Sequence, residues 1–304
     1  LGISKQAGSE RRRIITTAIE HKSVLESCHH LADQGLDVVI LPVEQDGRLQ
    51  LEQVKRTVSE NTLLVSVQAA NNEIGTLQDI AAIAELAHDH GALVHCDAAQ
   101  AVGKIKFDLL SCGADLISLS AHKLYGPKGI GLLFLRNGVR RLPISPVQFG
   151  GGQEFGLRPG TQNVPAIVGF AKALELVKEA LDPVIGQLRD RFENSVLSGC
   201  PGARRNGRVS DRLPGNSSLT FPGIDAEALI ANVPELAVST GSACTSGAPD
   251  PSHVLTAICL SRADALSTIR FGLGRGSTFE DADYAANLIV KAVATVRGAE
   301  VSPK

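Results

Sequence analysis

The first 135 residues alternate between two kinds of apolar pattern. RIITTAI, DVVILPV, TLLVSVQAA, ALVHCDAA, LISLSA and IGLLFLR read as strands. HKSVLESCHHLADQG, LEQVKRTVSE and DIAAIAELAHDHG read as helices, the first and last closed by Gly35 and Gly91. Strands that alternate with helices imply βαβ units and a mostly parallel sheet. The strand runs show little polar alternation, as expected of strands covered on both faces.

The pattern changes further along. A glycine-rich loop, FGGGQEFGLRPGT, leads into two long helical runs, VPAIVGFAKALELVKEAL and PVIGQLRDRFENSVL. Beyond about residue 200, SSLTF, LAVST and STIRFGL read as strands and DAEALIANV as a helix. The closing helix, TFEDADYAANLIVKAVATVRG, carries Thr278 and Asp281 at capping-box spacing. The expected organisation is a large α/β domain over residues 1–185 and a smaller α+β domain over 186–304. With 304 residues, 43% of them hydrophobic, the chain can bury both cores.

Composition removes several function classes. The net charge is −2 and well mixed, with no basic stripe, so nucleic acid is not an expected partner. No apolar run reaches the length of a membrane span, and LGISKQAGSERRR has no apolar signal core. The six cysteines, at 28, 96, 112, 200, 244 and 259, form no C-x-x-C pair, which argues against a structural zinc site. A large, cysteine-poor chain is expected in a reducing compartment, the cytoplasm, or an organellar matrix if a targeting segment precedes it. The sequence starts at Leu1 and contains no Met, so an N-terminally incomplete chain is expected.

In open parallel sheets, ligands bind beyond the C-terminal ends of the strands. Asn72 and Glu73 follow TLLVSVQAA, Asp97 and Gln100 follow ALVH, and Ser120, His122 and Lys123 follow LISL. Singly, each has a plain structural reading: a turn asparagine, a packed histidine, a solvated loop lysine. Together they have a chemical logic. A lysine at a strand end forms a Schiff base with an aldehyde cofactor. Pyridoxal phosphate then needs an acid on its ring nitrogen to act as an electron sink, and Asp97 suits that task. Ser120 and His122 are candidates for the phosphate. Cys244 stands apart, in STGSACTSGAPDPSHVL, a stretch too rich in Gly, Ser and Pro for a packed helix or strand.

TAIEHKSVL, NNEIGTLQDI, HCDAAQAVGK, SLSAHKLYGPKGIG, FGGGQEFGLRPGT, STGSACTSG and STIRFGLGR resemble, in order, the successive blocks of the cysteine desulfurases. These are fold-type-I pyridoxal-phosphate enzymes of the class-V aminotransferase group. The resemblance covers nearly the whole chain, and the loop around Cys244 resembles the extended-loop subgroup that serves iron–sulfur assembly. It implies that Lys123 bears the cofactor and that Asp97 partners the ring nitrogen. It further implies Gln100 on the ring hydroxyl, His21 stacked on the ring and active in proton transfer, and Ser120 and His122 on the phosphate. Thr161 is implied to reach the phosphate of a neighbouring subunit in a homodimer. Asn72 is implied near the ring hydroxyl and the substrate carboxylate, and Arg270 holds that carboxylate. Cys244 is implied as the nucleophile that takes sulfur from L-cysteine as a persulfide, leaving alanine, and passes it to acceptors such as an iron–sulfur scaffold protein. Selenocysteine lyase is the alternative on the same scaffold. A catalytically silent fragment or interaction subunit is another, because family members carry a segment ahead of RIITTAIEHK. The other five cysteines, and His29, His30, His88, His90, His95 and His253, are expected to be packing residues.

Overall fold

The structure is a computed structural model and describes residues 1–6, 8, 10–177, 183–240 and 250–300. It comprises two compact units. The first is Leu1–Pro42, Leu49–Ala70 and Gln78–Leu181; the second is Val43–Arg48, Asn71–Leu77 and Asp182–Lys304.

The first unit is built on a six-stranded sheet of β1 (Arg13–Thr17), β2 (Asp37–Leu41), β3 (Thr62–Gln68), β4 (Leu93–Asp97), β5 (Leu116–Ser120) and β6 (Gly131–Leu135), in the order β2-β1-β3-β4-β5-β6. Pairs from β2 to β5 are parallel, and β6 is antiparallel to β5. Its helices are α1 (Lys22–Asp33), α2 (Leu51–Thr57), α3 (Ile80–His88) and α4 (Val164–Val177). Local chemistry sets their ends. The Asp79 carboxylate caps α3 by accepting from Ala82 N, and Gly35 and Gly91 take positive φ just past α1 and α3. Ile15, Val65, Cys96 and Ile117 are fully enclosed in the middle strands. Covering on both faces fails at the margins of the sheet: Ile40 of β2 and Leu132 and Leu133 of β6 are exposed. An apolar run shows that a strand is apolar, not whether a layer lies over it.

The second unit holds α5 (Val184–Gly199), β7 (Arg204–Arg205), β8 (Asn216–Thr220), α6 (Ala226–Ala231), β9 (Ser239–Thr240), α7 (His253–Ala257), α8 (Arg262–Leu266), β10 (Thr268–Gly272) and α9 (Phe279–Glu300). The sheet runs β7-β8-β10-β9, antiparallel throughout. Phe192 of α5, Leu219 of β8, Phe271 of β10 and Ile289 of α9 share its core. The rings of Phe192 and Phe271 stand 4.8 Å apart, tilted by 52°. The capping box of α9 forms reciprocally, with Asp281 N donating to Thr278 Oγ1 and Thr278 N to the Asp281 carboxylate. Glu193 is a fully buried anion inside this unit, held by Arg212 at 2.6 and 2.7 Å and by Arg205 at 2.6 Å. Burial alone raises its carboxyl pKa; the two guanidinium groups outweigh that and hold it below the usual value.

Two short excursions bring early residues into the second unit. Leu213 N donates to Gly75 O at 2.8 Å, and Thr76 Oγ1 to Asp46 O at 2.6 Å. Asn72 therefore belongs with the second unit, although the strand before it lies in the first.

Candidate active site

Parallel strands bring their C-terminal ends to one edge of the sheet. At that edge β1 runs into the turn that ends at His21, β4 ends at Asp97, and β5 ends at Ser120. A 3-10 turn, Ala121–Leu124, follows directly and carries His122 and Lys123, both exposed. Tyr125 closes it in the left-handed region, φ 62°. Six of the expected residues thus come together: His21, Asp97, Gln100, Ser120, His122 and Lys123.

Each has a defined setting. Asp97 is half-buried, and its Oδ1 accepts from Ala99 N at 3.0 Å. The Gln100 side-chain carbonyl receives the Lys104 ammonium, which leaves the Gln100 amide NH2 as a donor with no partner among the described residues. Ser120 Oγ and His122 Nδ1 are 2.9 Å apart. Desolvation, then the ammonium groups of Lys123, Lys128 and Lys104, hold the His122 ring below its usual pKa. The His21 ring caps α1, with Nδ1 accepting from Ser23 N at 3.2 Å. In neutral His21 the proton accordingly sits on Nε2.

Behind the edge lies polar structure that the sequence reading passed over. Glu20 is buried and accepts from Thr17 Oγ1 at 2.6 Å and from Gln68 N at 3.1 Å. Burial outweighs these bonds and raises its pKa to about 8. Gln68 Nε2 donates to Ile19 O at 2.5 Å, so the turn before His21 is tied to the end of β3. His95 lies between Ser66 Oγ and Ser118 Oγ, at 2.8 Å from each.

In the second unit, Arg270 donates through Nη1 to Asn72 O at 3.2 Å and through Nη2 to Ser239 Oγ at 3.1 Å. Asn216 Nδ2 also donates to Asn72 O, and Ser252 Oγ donates to Glu73 at 2.5 Å. The expected pair Asn72 and Arg270 is therefore in direct contact. Thr161 is exposed in the loop before α4. Cys244 lies outside the described residues.

The packing expectation needs correction at several positions. Cys28, Cys96 and Cys200 are buried, but Cys259 is exposed with φ 66° at the turn after α7. His29 and His30 are exposed on α1, and exposed His88 pairs with Asp115 at 2.9 Å. An apolar stretch does not reveal which helix face a histidine occupies.

The donors at the sheet edge fit pyridoxal phosphate. A half-buried carboxylate answers a pyridinium nitrogen, a free amide donor answers a ring hydroxyl, and a hydroxyl and an imidazole amid three ammonium groups answer a phosphate.

Comparison with known proteins agrees. The sequence model of the family described as Aminotransferase class-V matches residues 2–285. Cysteine desulfurase IscS of Rickettsia prowazekii (strain Madrid E) is 41% identical over 299 residues, covering 97% of this chain and 73% of the relative. Cysteine desulfurase IscS of Anaeromyxobacter dehalogenans (strain 2CP-C) is 44% identical over 295 residues, covering 96% and 72%. Among solved structures, a NifS-like protein superposes with a TM-score of 0.87 at 36% identity, covering 97% of this chain and 78% of its own.

Proposed function

The chain belongs to the aminotransferase class-V family and is a pyridoxal-phosphate-dependent cysteine desulfurase; from that premise we propose how its residues divide the work. Bound pyridoxal phosphate supplies an electron sink that labilises bonds in the amino-acid substrate. Lys123 would hold it covalently, and the Asp97 carboxylate would keep its ring nitrogen protonated. Gln100 donates its free amide NH2 to the ring hydroxyl. Ser120 and His122 take the phosphate within the positive field of Lys104, Lys123 and Lys128. His21 would lie against the bound ring and would carry a proton at Nε2, because Nδ1 is engaged as the cap of α1. Arg270 offers its planar fork to the substrate carboxylate with Asn72 beside it.

Cys244 is the proposed sulfur acceptor. The Cβ–S bond of L-cysteine breaks and a sulfur–sulfur bond forms, so that L-cysteine and the Cys244 thiol become L-alanine and a Cys244 persulfide. The proton that the thiol loses is balanced by the one gained at the alanine methyl group. The persulfide then passes its outer sulfur to acceptor proteins such as an iron–sulfur scaffold. A reducing compartment, the cytoplasm, keeps Cys244 a thiol between turnovers.

A symmetric homodimer is the proposed active species, Thr161 reaching the phosphate held by the partner subunit. In support, Phe155 is 82% exposed and Val164 58% exposed on either side of Thr161, and Val168 is 61% exposed one helical turn further on. Apolar exposure of this kind marks an interaction surface.

The observation that carries the reading is the shared sheet edge, where Asp97 ends β4 and Lys123 follows the end of the adjacent parallel strand β5, with cations gathered around His122. The test is to supply pyridoxal phosphate and L-cysteine, measure alanine, and map the persulfide by mass spectrometry. Alanine is expected together with a persulfide on Cys244, and Cys244→Ala should keep the cofactor while alanine production collapses. A persulfide on Cys28 or Cys259 in the wild type would overturn the assignment of the thiol.

A further inference from the structure

We propose that His95 is a positioning residue for Asp97: a neutral imidazole pinned between the hydroxyls of β3 and β5 that fixes the carboxylate in place and leaves its charge free for the cofactor ring nitrogen. The proposal rests on the reading of Asp97 given above.

The geometry is specific. His95 and Asp97 are two residues apart on β4 and so share one face of the sheet. His95 stands in register with Ser66 of β3, and Asp97 in register with Ser118 of β5. The ring spans the strands, Nδ1 to Ser66 Oγ and Nε2 to Ser118 Oγ, each at 2.8 Å. Thr16 Oγ1 donates to Ser66 O at 2.9 Å, which carries the tie on to β1. Four neighbouring strands are thus joined by polar links one layer below the functional edge.

Enclosure alone does not call for this arrangement. Three apolar side chains would fill the layer equally well, since hydrogen bonds among partly buried polar groups do little more than offset their desolvation. What the trio adds is a tie between three strands and a ring held at both nitrogens, two residues from Asp97 on the same face of β4. Charge points the same way. A neutral imidazole bonds two hydroxyls with one donor and one acceptor nitrogen. Desolvation holds the pKa of His95 down to about 4 against the opposing pull of Asp97, so the ring carries no charge at neutral pH. A cation there would compete with the pyridinium for the carboxylate.

The test compares His95→Leu, His95→Gln, Ser118→Ala and Asp97→Asn, loaded with pyridoxal phosphate and without substrate. Two quantities are read: the dissociation constant of pyridoxal phosphate, and the pH titration of the bound-cofactor absorbance. Asp97→Asn should move the titration. His95→Leu should move it in the same direction and weaken binding about tenfold, and Ser118→Ala should do so to a smaller extent. His95→Gln, which keeps one donor and one acceptor, should restore most of the wild-type behaviour. In an Asp97→Asn background, His95→Leu should add little, since both act on the same contact. If Asp97→Asn leaves the titration unmoved, the Asp97 reading fails and the proposal fails with it. If Asp97→Asn moves it but the folded His95 and Ser118 variants do not, His95 is structural only and the proposal is overturned. Ser118→Ala removes one hydroxyl alone, so it decides the matter even where His95→Leu does not fold.

Discussion

Asp97 and Glu20 are both carboxyl groups in the first unit, yet their surroundings differ. Asp97 is half-buried and takes a backbone N–H; Glu20 is buried and raised to about 8. We predict that Asp97→Asn lowers kcat by at least a hundredfold while the protein still loads cofactor, because an amide cannot hold the ring nitrogen protonated; steady-state kinetics beside a cofactor titration checks this. For Glu20 the sign follows from linkage. Its folded value lies above its unfolded one, so its contribution to stability is full below about 4.5 and is lost as pH rises toward about 8. Glu20→Gln should therefore gain on the wild type by at most about 1.4 kcal/mol per pH unit across that window; urea unfolding of both proteins at several pH values measures the difference. The residues at strand ends were legible in the sequence because polar groups there interrupt an apolar run. Glu20 and His95 were not, since their partners Gln68, Ser66 and Ser118 come from other strands and only the sheet register brings them together.

At the scale of elements, β1, β3, β4 and β5 were readable because a buried parallel strand is a short apolar run between turn residues. α7 and α8, of five residues each, are too short to display a helical period, and β9 is reduced to Ser239–Thr240 within the longer run LAVST. The cluster that joins α5 to β7 and to the chain before β8 could not be read either, because Glu193, Arg205 and Arg212 look like ordinary surface charges in one dimension. Removing Arg212 takes two of the three guanidinium bonds from the buried Glu193 and leaves it with Arg205 alone in this cluster. Arg212→Leu should thus destabilise the protein by about 3–5 kcal/mol, seen as a lower urea midpoint, whereas Arg191→Leu, which removes an exposed pair with Asp283 and a contact over the Phe279 ring, should leave the midpoint close to that of the wild type.

For the whole molecule, the seven ordered sequence blocks carried the family assignment, while the division of the chain did not follow one cut: Val43–Arg48 and Asn71–Leu77 lie with the later residues. Assembly is testable at this scale. Val168→Asp places a charge on the exposed face of α4, and light scattering should find the wild type as a dimer and the variant shifted toward monomer with reduced activity; full activity in a monomeric wild type would contradict a role for Thr161 across the subunit boundary. The most direct measurement of all is borohydride reduction of the pyridoxal-phosphate-loaded protein followed by peptide mass mapping. The reduced cofactor should be found on the peptide that carries Lys123, with none bound in Lys123→Ala. Recovery of the label on Lys104 or Lys128, or its persistence in Lys123→Ala, would contradict the assignment of the sheet edge as the catalytic centre.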